Sequence, residues 1–212
     1  MPPGRDDRGR AILSDLDGTL IDSKASVIAA FRWWAARRGL PADIADRIPH
    51  GRTSAAAAAL FAPHLDATAE GALLDRHQAD HTDGVIAIPG AHALLTSHPR
   101  LAIVTSCPVP LAHARLAAAG LPLPAVLVTP ELTERGKPDP APYLLGAELL
   151  GARPDECVVL EDAPAGVASG CAAGMTVIGV LTTHATDELP GATAFVSDLT
   201  QLAGALQALG FD

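Results

Sequence analysis

At 212 residues, 49% of them hydrophobic but only 3% aromatic, the chain can bury one sizeable aliphatic core and still leave room for a small accessory domain. A formal net charge of −9 argues against a nucleic-acid partner, which would need clustered lysine and arginine, and no apolar run reaches the roughly 18–20 residues of a membrane span. Three cysteines, Cys107, Cys157 and Cys171, are too few and odd in number for a disulfide framework, which predicts a reducing, cytoplasmic setting.

Residues 1–9 are charged and proline-bearing with no apolar stretch, which predicts a disordered tail and no secretory leader. Residues 10–14 then open a series of short aliphatic runs without strict alternation, continued at 101–105, 125–128, 157–160 and 176–181. Such runs suit strands covered on both faces in a parallel sheet. Helical segments at 111–119, 140–150 and 165–173 alternate with them and are followed by the stop residues Gly120, Gly151 and Gly174. The alternation predicts a doubly wound α/β sheet whose carboxyl strand ends form the binding edge. One connection is irregular: about 80 residues separate the first strand from the second, far more than a crossover helix requires. Helices are predicted inside it over 23–38, with Ser23 as cap, and over 42–48, 54–61 and 66–81, with hinges near 21–23 and 84–89.

The chemistry-bearing residues sit at the predicted strand ends. Asp15-Leu16-Asp17-Gly18-Thr19 places two carboxylates two residues apart after an apolar run, so that one can act as nucleophile and the other as proton donor. Gly18 and Thr19 suit a tight turn whose N–H groups and hydroxyl face an anion. Downstream come Ile103-Val104-Thr105-Ser106, Gly136-Lys137-Pro138-Asp139-Pro140 and Glu161-Asp162-Ala163-Pro164-Ala165-Gly166. Taken singly, Asp17 reads as a helix cap, Lys137 as a solvated loop lysine, Thr105 as a strand-end hydroxyl and Glu161-Asp162 as a charge pair at a helix start. Their order and common placement at strand ends favour a joint role.

In that order the four segments resemble the four motifs of the haloacid dehalogenase (HAD) superfamily of aspartyl phosphotransferases, over residues 10–183. The resemblance implies a Rossmann-like core of residues 1–21 and 86–212, with an all-helical cap of residues 22–85 inserted after the first strand. It implies Asp15 as the nucleophile that becomes an aspartyl phosphate and Asp17 as general acid, then base. Lys137 would supply fixed positive charge, and Gly18, Thr19, Thr105 and the N–H of Ser106 would bind the phosphate. Mg²⁺ would be held by Asp15, the backbone carbonyl of Asp17 and Asp162, with Glu161 joining them or holding a bound water. Within the superfamily the chain is similar to the small-sugar-phosphate phosphatases, whose cap carries a His-Gly plus a basic residue; here that is His50-Gly51-Arg52, which would touch substrate. Ser14 departs from the usual phenylalanine, and Cys107-Pro108 stands where glycine is common. The expected activity is Mg²⁺-dependent hydrolysis of a small sugar, sugar-alcohol or glycerol phosphate.

Other functions fit less well. A phosphomutase of this fold carries a histidine ten residues after the acid/base aspartate, and here that position is Val27. Phosphonate-cleaving and dehalogenating relatives replace the second aspartate, which this chain keeps as Asp17. A signalling receiver domain is about half this length and lacks the helical insert. A non-catalytic metabolite-binding module would be expected to have lost one of Asp15, Asp17, Lys137 or Asp162, and all are present.

Overall fold

A computed structural model of the chain describes residues 10–48 and 51–211, so the predicted tail and His50 lie outside the described residues. In chain order the strands are β1 (Ala11–Ser14), β2 (Ile21–Asp22), β3 (Ile86–Ala87), β4 (Leu101–Val104), β5 (Val126–Val128), β6 (Cys157–Glu161), β7 (Thr176–Val180) and β8 (Ala194–Val196). Six of them form a parallel sheet in the order β5-β4-β1-β6-β7-β8, with β1 flanked by β4 and β6. The order reverses at β1, which puts the carboxyl end of that strand at the switch point where such sheets bind ligands.

Strand periodicity explains why both faces are apolar. Ile12, Ile103, Val158, Leu160 and Ile178 point to one side, whereas Leu13, Val104, Val159 and Val177 point to the other. The first side is covered by α4 (Ala91–Ser97), α5 (Val109–Ala118) and α8 (Leu202–Ala208), through Leu94, Leu111, Leu116 and Leu202. The second is covered by α6 (Ala141–Leu149) and α7 (Pro164–Ala172), through Tyr143, Ala147 and Val167. β8, α4 and α8 were not signalled by periodicity: β8 spans three residues, and α4 and α8 are seven residues each.

Between β2 and β3, α1 (Lys24–Arg38), α2 (Ser54–Phe61) and α3 (Ala67–Asp80) pack around their own apolar cluster, which includes Phe31, Trp34, Ile44, Ala57 and Leu74. A buried polar knot ties α1 to α3: Trp34 Nε1 donates to Glu70 Oε2 at 2.6 Å, and Arg38 donates to both Glu70 oxygens at 2.6 and 2.8 Å. Asp66 caps α3 by accepting from the Thr68 and Ala69 N–H groups. The stretch expected as a helix over 42–48 is a 3₁₀ turn, Ala42–Asp46, too short to repay α-helix nucleation. β2 and β3 pair antiparallel where the chain enters and leaves this insert. Ser23 precedes α1 but does not cap it: at φ −113° and ψ 5° its hydroxyl accepts from no helix N–H, and it donates instead to the Asp17 carboxylate at 2.6 Å. All three cysteines are free thiols, and among the described residues no helix is long and apolar enough to cross a membrane.

Candidate active site

β1 ends at Ser14, and the chain then folds back on itself at the carboxyl edge of the sheet. The Asp15 N–H donates to the Leu160 carbonyl, and the N–H groups of Leu20 and Ile21 both return to the Leu16 carbonyl. Gly18 adopts φ 83°, and a Cβ there would lie 2.1 Å from Asp162 Oδ2, so conformation and space both demand glycine. The donors expected to face an anion are engaged within the protein: the Gly18 N–H bonds the Ile21 carbonyl at 2.7 Å, and the Thr19 hydroxyl bonds Asp162 Oδ1 at 3.1 Å. Their visible work is to close the turn and fix Asp162, which also accepts from the Thr183 hydroxyl.

Below the turn lies a buried charge cluster. Lys137 Nζ donates to Asp15 Oδ1 at 2.6 Å, to Glu161 Oε1 at 2.7 Å and to the Val104 carbonyl at 2.9 Å. Glu161 Oε1 also accepts from the Tyr143 hydroxyl, and Oε2 accepts from the Ala163 N–H, so both of its oxygens are occupied. A Cβ on Gly166 would fall 1.7 Å from Glu161 Oε1, so only glycine lets α7 pack this close. Burial lifts the Asp15 carboxyl to about 7, with Lys137 offsetting part of that rise. Burial and the facing Asp15 and Glu161 carboxylates push Asp162 well above its ordinary range. Burial alone would lower Lys137, but Asp15 and Glu161 hold it above its ordinary value. Oxygens of Asp15, Glu161 and Asp162 lie within 4.8 Å of one another, so one lysine faces three carboxyl groups, more than it could neutralise were all three ionised. Hard oxygen donors in surplus fit a divalent cation such as Mg²⁺.

Above the cluster a cavity opens between the sheet edge and the helical insert, lined by Asp15, Asp17, Thr105 and Ser106 from one side and by Val27 and Arg52 from the other. Ser106 donates its hydroxyl to the Gly51 carbonyl at 2.8 Å, bridging core and insert, and the Thr105 hydroxyl accepts from the Cys107 N–H. Asp17 accepts from Ser23 at 2.6 Å on one oxygen, and its other oxygen pairs with Arg115 at 2.7 Å and accepts from the Cys107 thiol at 3.0 Å. Burial and the Asp17 carboxylate push that thiol well up, so Cys107 stays protonated and is a donor here, not a nucleophile. Asp15, Asp17, Gly18, Thr19, Thr105, Ser106, Lys137, Glu161 and Asp162 therefore gather at one edge, while Arg52 reaches the cavity from the insert. Sequence reading missed Tyr143, Thr183, Gln78 and Arg115. Arg115 alone carried a signal, an arginine four positions after Leu111 and so on the buried face of an apolar helix.

The sequence matches the haloacid dehalogenase-like hydrolase family over residues 10–174. The chain belongs to the haloacid dehalogenase-like hydrolases. This hydrolase is similar to hexitol phosphatase A of Escherichia coli (strain K12), 47% identical over 180 residues that cover 82% of this chain and 83% of that protein. It is 32% identical to glycerol-1-phosphate phosphohydrolase 2 of Saccharomyces cerevisiae over 196 residues, 84% of this chain and 77% of that protein. Among solved structures, a hydrolase from Pseudomonas syringae superposes with a TM-score of 0.82 at 26% identity, covering 94% of this chain and 99% of that one.

Proposed function

We propose that this hydrolase is a Mg²⁺-dependent phosphomonoesterase of the cytoplasm acting on a small sugar, sugar-alcohol or glycerol phosphate. Residues 22–85 serve as a cap over a core of residues 1–21 and 86–212. The observation that carries the reading is the buried Asp15 carboxylate, held on one oxygen by Lys137 beneath a cavity that also contains Asp17. The names of the relatives, a hexitol phosphatase and a glycerol-1-phosphate phosphohydrolase, support the substrate class.

Phosphate monoesters are inert because their charge repels nucleophiles and an alkoxide leaves poorly. In the proposed sequence Asp15 attacks phosphorus in line with the ester oxygen. The bond to that oxygen breaks, the electron pair stays on it, and Asp17 gives it a proton. The alcohol departs, leaving Asp15 as an aspartyl phosphate. Asp17, now a carboxylate, takes a proton from water as the water oxygen attacks phosphorus and frees Asp15. Thr105 and the Ser106 N–H hold nonbridging oxygens, and Lys137 keeps Asp15 oriented and balances charge in the transition state. Gly18 and Thr19 act by shaping the turn, since their donors are engaged within it. Asp15, Asp162 and the Asp17 backbone carbonyl would hold Mg²⁺, which supplies the positive charge that lets an anionic carboxylate approach an anionic ester. Glu161 anchors Lys137, because both of its oxygens already have partners. Val27 lines the cavity where the resemblance would put a mutase's histidine, which supports water, not a second sugar oxygen, as final acceptor.

Incubating purified protein and Mg²⁺ with hexitol, hexose and glycerol phosphates, and measuring released phosphate, tests the proposal. Robust turnover of at least one is expected; release from none of them would overturn it.

A further inference from the structure

The mechanism leaves a buried charge beside the Asp17 carboxylate without a role. Arg115, on the apolar helix α5, is 3% exposed. Withdrawing a guanidinium from water is costly unless its donors find acceptors, so the partners it has found are informative. One terminal nitrogen pairs with Asp17 Oδ2 at 2.7 Å and lies 2.9 Å from the Cys107 sulfur, and the other donates to Gln78 Oε1 at 2.7 Å. Asp17 and Cys107 belong to loops at the sheet edge. Gln78 belongs to α3 of the insert and is itself buried, reaching the Ser54 hydroxyl at 3.4 Å. Arg115 thus joins the acid/base carboxylate to the insert through one rigid fork.

We propose that Arg115 is the positioning residue for Asp17: anchored on Gln78, it sets where that carboxylate stands when the insert lies against the core, and so controls proton delivery to the leaving oxygen. This rests on the reading of Asp17 as general acid. Asp17 has a side chain one quarter exposed, and among the described residues only Ser23 and Cys107 would hold it without Arg115. The fork matters because a planar guanidinium can grip Asp17 and Gln78 together, whereas an ammonium is a point donor on a flexible stem.

Three substrates separate this role from its rivals. The alkoxides of glycerol phosphate and propyl phosphate need a proton to leave; p-nitrophenolate does not, and propyl phosphate offers no hydroxyls to bind. The quantity read is kcat/KM with Mg²⁺ present, because it covers steps only up to departure of the leaving group. Arg115→Met should lower kcat/KM for both alkyl esters by about tenfold or more and for p-nitrophenyl phosphate by less than about threefold. Arg115→Lys should recover part of the loss, and Gln78→Leu should show the same selectivity more weakly. Should Arg115→Met not fold, the latter two variants carry the test by the same criterion. Equal losses on all three substrates would reduce Arg115 to packing, and a loss confined to glycerol phosphate would make it a hydroxyl contact; either overturns the proposal. Asp17→Asn is the benchmark. If it discriminates between leaving groups and the Arg115 variants do not, this proposal alone fails; if it does not discriminate, the acid role fails and this proposal with it.

Discussion

Asp15 shows how far a single side chain can be argued. Its carboxylate is buried and fixed by Lys137 at 2.6 Å, so an amide of nearly the same shape keeps the packing but cannot attack phosphorus. Asp15→Asn should therefore leave circular dichroism unchanged and reduce phosphate release to below about a tenth of wild type, a loss of more than ~1.4 kcal/mol of transition-state stabilisation. Asp75 makes the opposite case. Burial lifts its carboxyl to about 6, against the Ser54 hydrogen bond that pulls it down. A carboxyl raised in this way holds its proton more tightly folded than unfolded, so its ionisation costs stability as pH rises from the ordinary 3.8 through about 6. Asparagine keeps an acceptor for Ser54 and carries no charge. Asp75→Asn should stabilise the protein at pH 8 by on the order of 1–2 kcal/mol in urea unfolding, and the gain should vanish near pH 4.

Among the elements, the junction of α1 and α3 depends most on a polar contact. Glu70 accepts from Trp34 and from Arg38, and the Arg38 hydrogen bond chiefly holds its carboxyl below the usual range. A lowered carboxyl contributes stability that is fully present above the ordinary value of 4.5 and is lost as pH falls below it. Glu70→Gln should cost about 1–3 kcal/mol at neutral pH, because the Arg38 fork loses its charged partner. The gap between variant and wild type should close on acidification below pH 4.5, which urea titrations across pH would show. The elements of the sheet were legible for a different reason: β1, β4, β6 and β7 are aliphatic on both faces because helices cover both, and runs such as Ile12-Leu13 and Val158-Val159-Leu160 carry that requirement openly. β8, the three-residue edge strand, and α8, seven residues long, are too short to carry a comparable pattern.

At the scale of the whole molecule, the sheet edge and the helical insert together enclose the cavity, and the cluster beneath it holds three carboxylates against one lysine. Removing divalent metal with EDTA should abolish turnover, and Mg²⁺ should restore it. Ca²⁺ should substitute poorly, since it favours more ligands at longer distances. Unchanged phosphate release after chelation and dialysis would remove the metal from the mechanism. Isothermal titration with Mg²⁺ should also lose its signal in Asp162→Ala, a readout independent of turnover.

The sequence by itself determined the fold class and the chemical inventory of the site. Strand hydrophobicity and stop glycines are local signals, and Asp15, Asp17, Thr105 and Asp162 follow strand ends that a parallel sheet must bring to one edge, while Lys137 comes from the loop between β5 and α6. Tertiary structure alone decided which of their hydrogen-bonding groups remain available. Gly18 and Thr19 carry suitable donors for an anion, yet backbone closure and Asp162 take them. Ser23 carries a cap's hydroxyl, yet it accepts from no helix N–H and donates to Asp17. Arg115 and Gln78, 37 positions apart and on different helices, meet only because α3 packs on α5. A hydrogen bond is set by distances of tenths of an ångström between groups remote in sequence, and the pattern along one chain does not encode them.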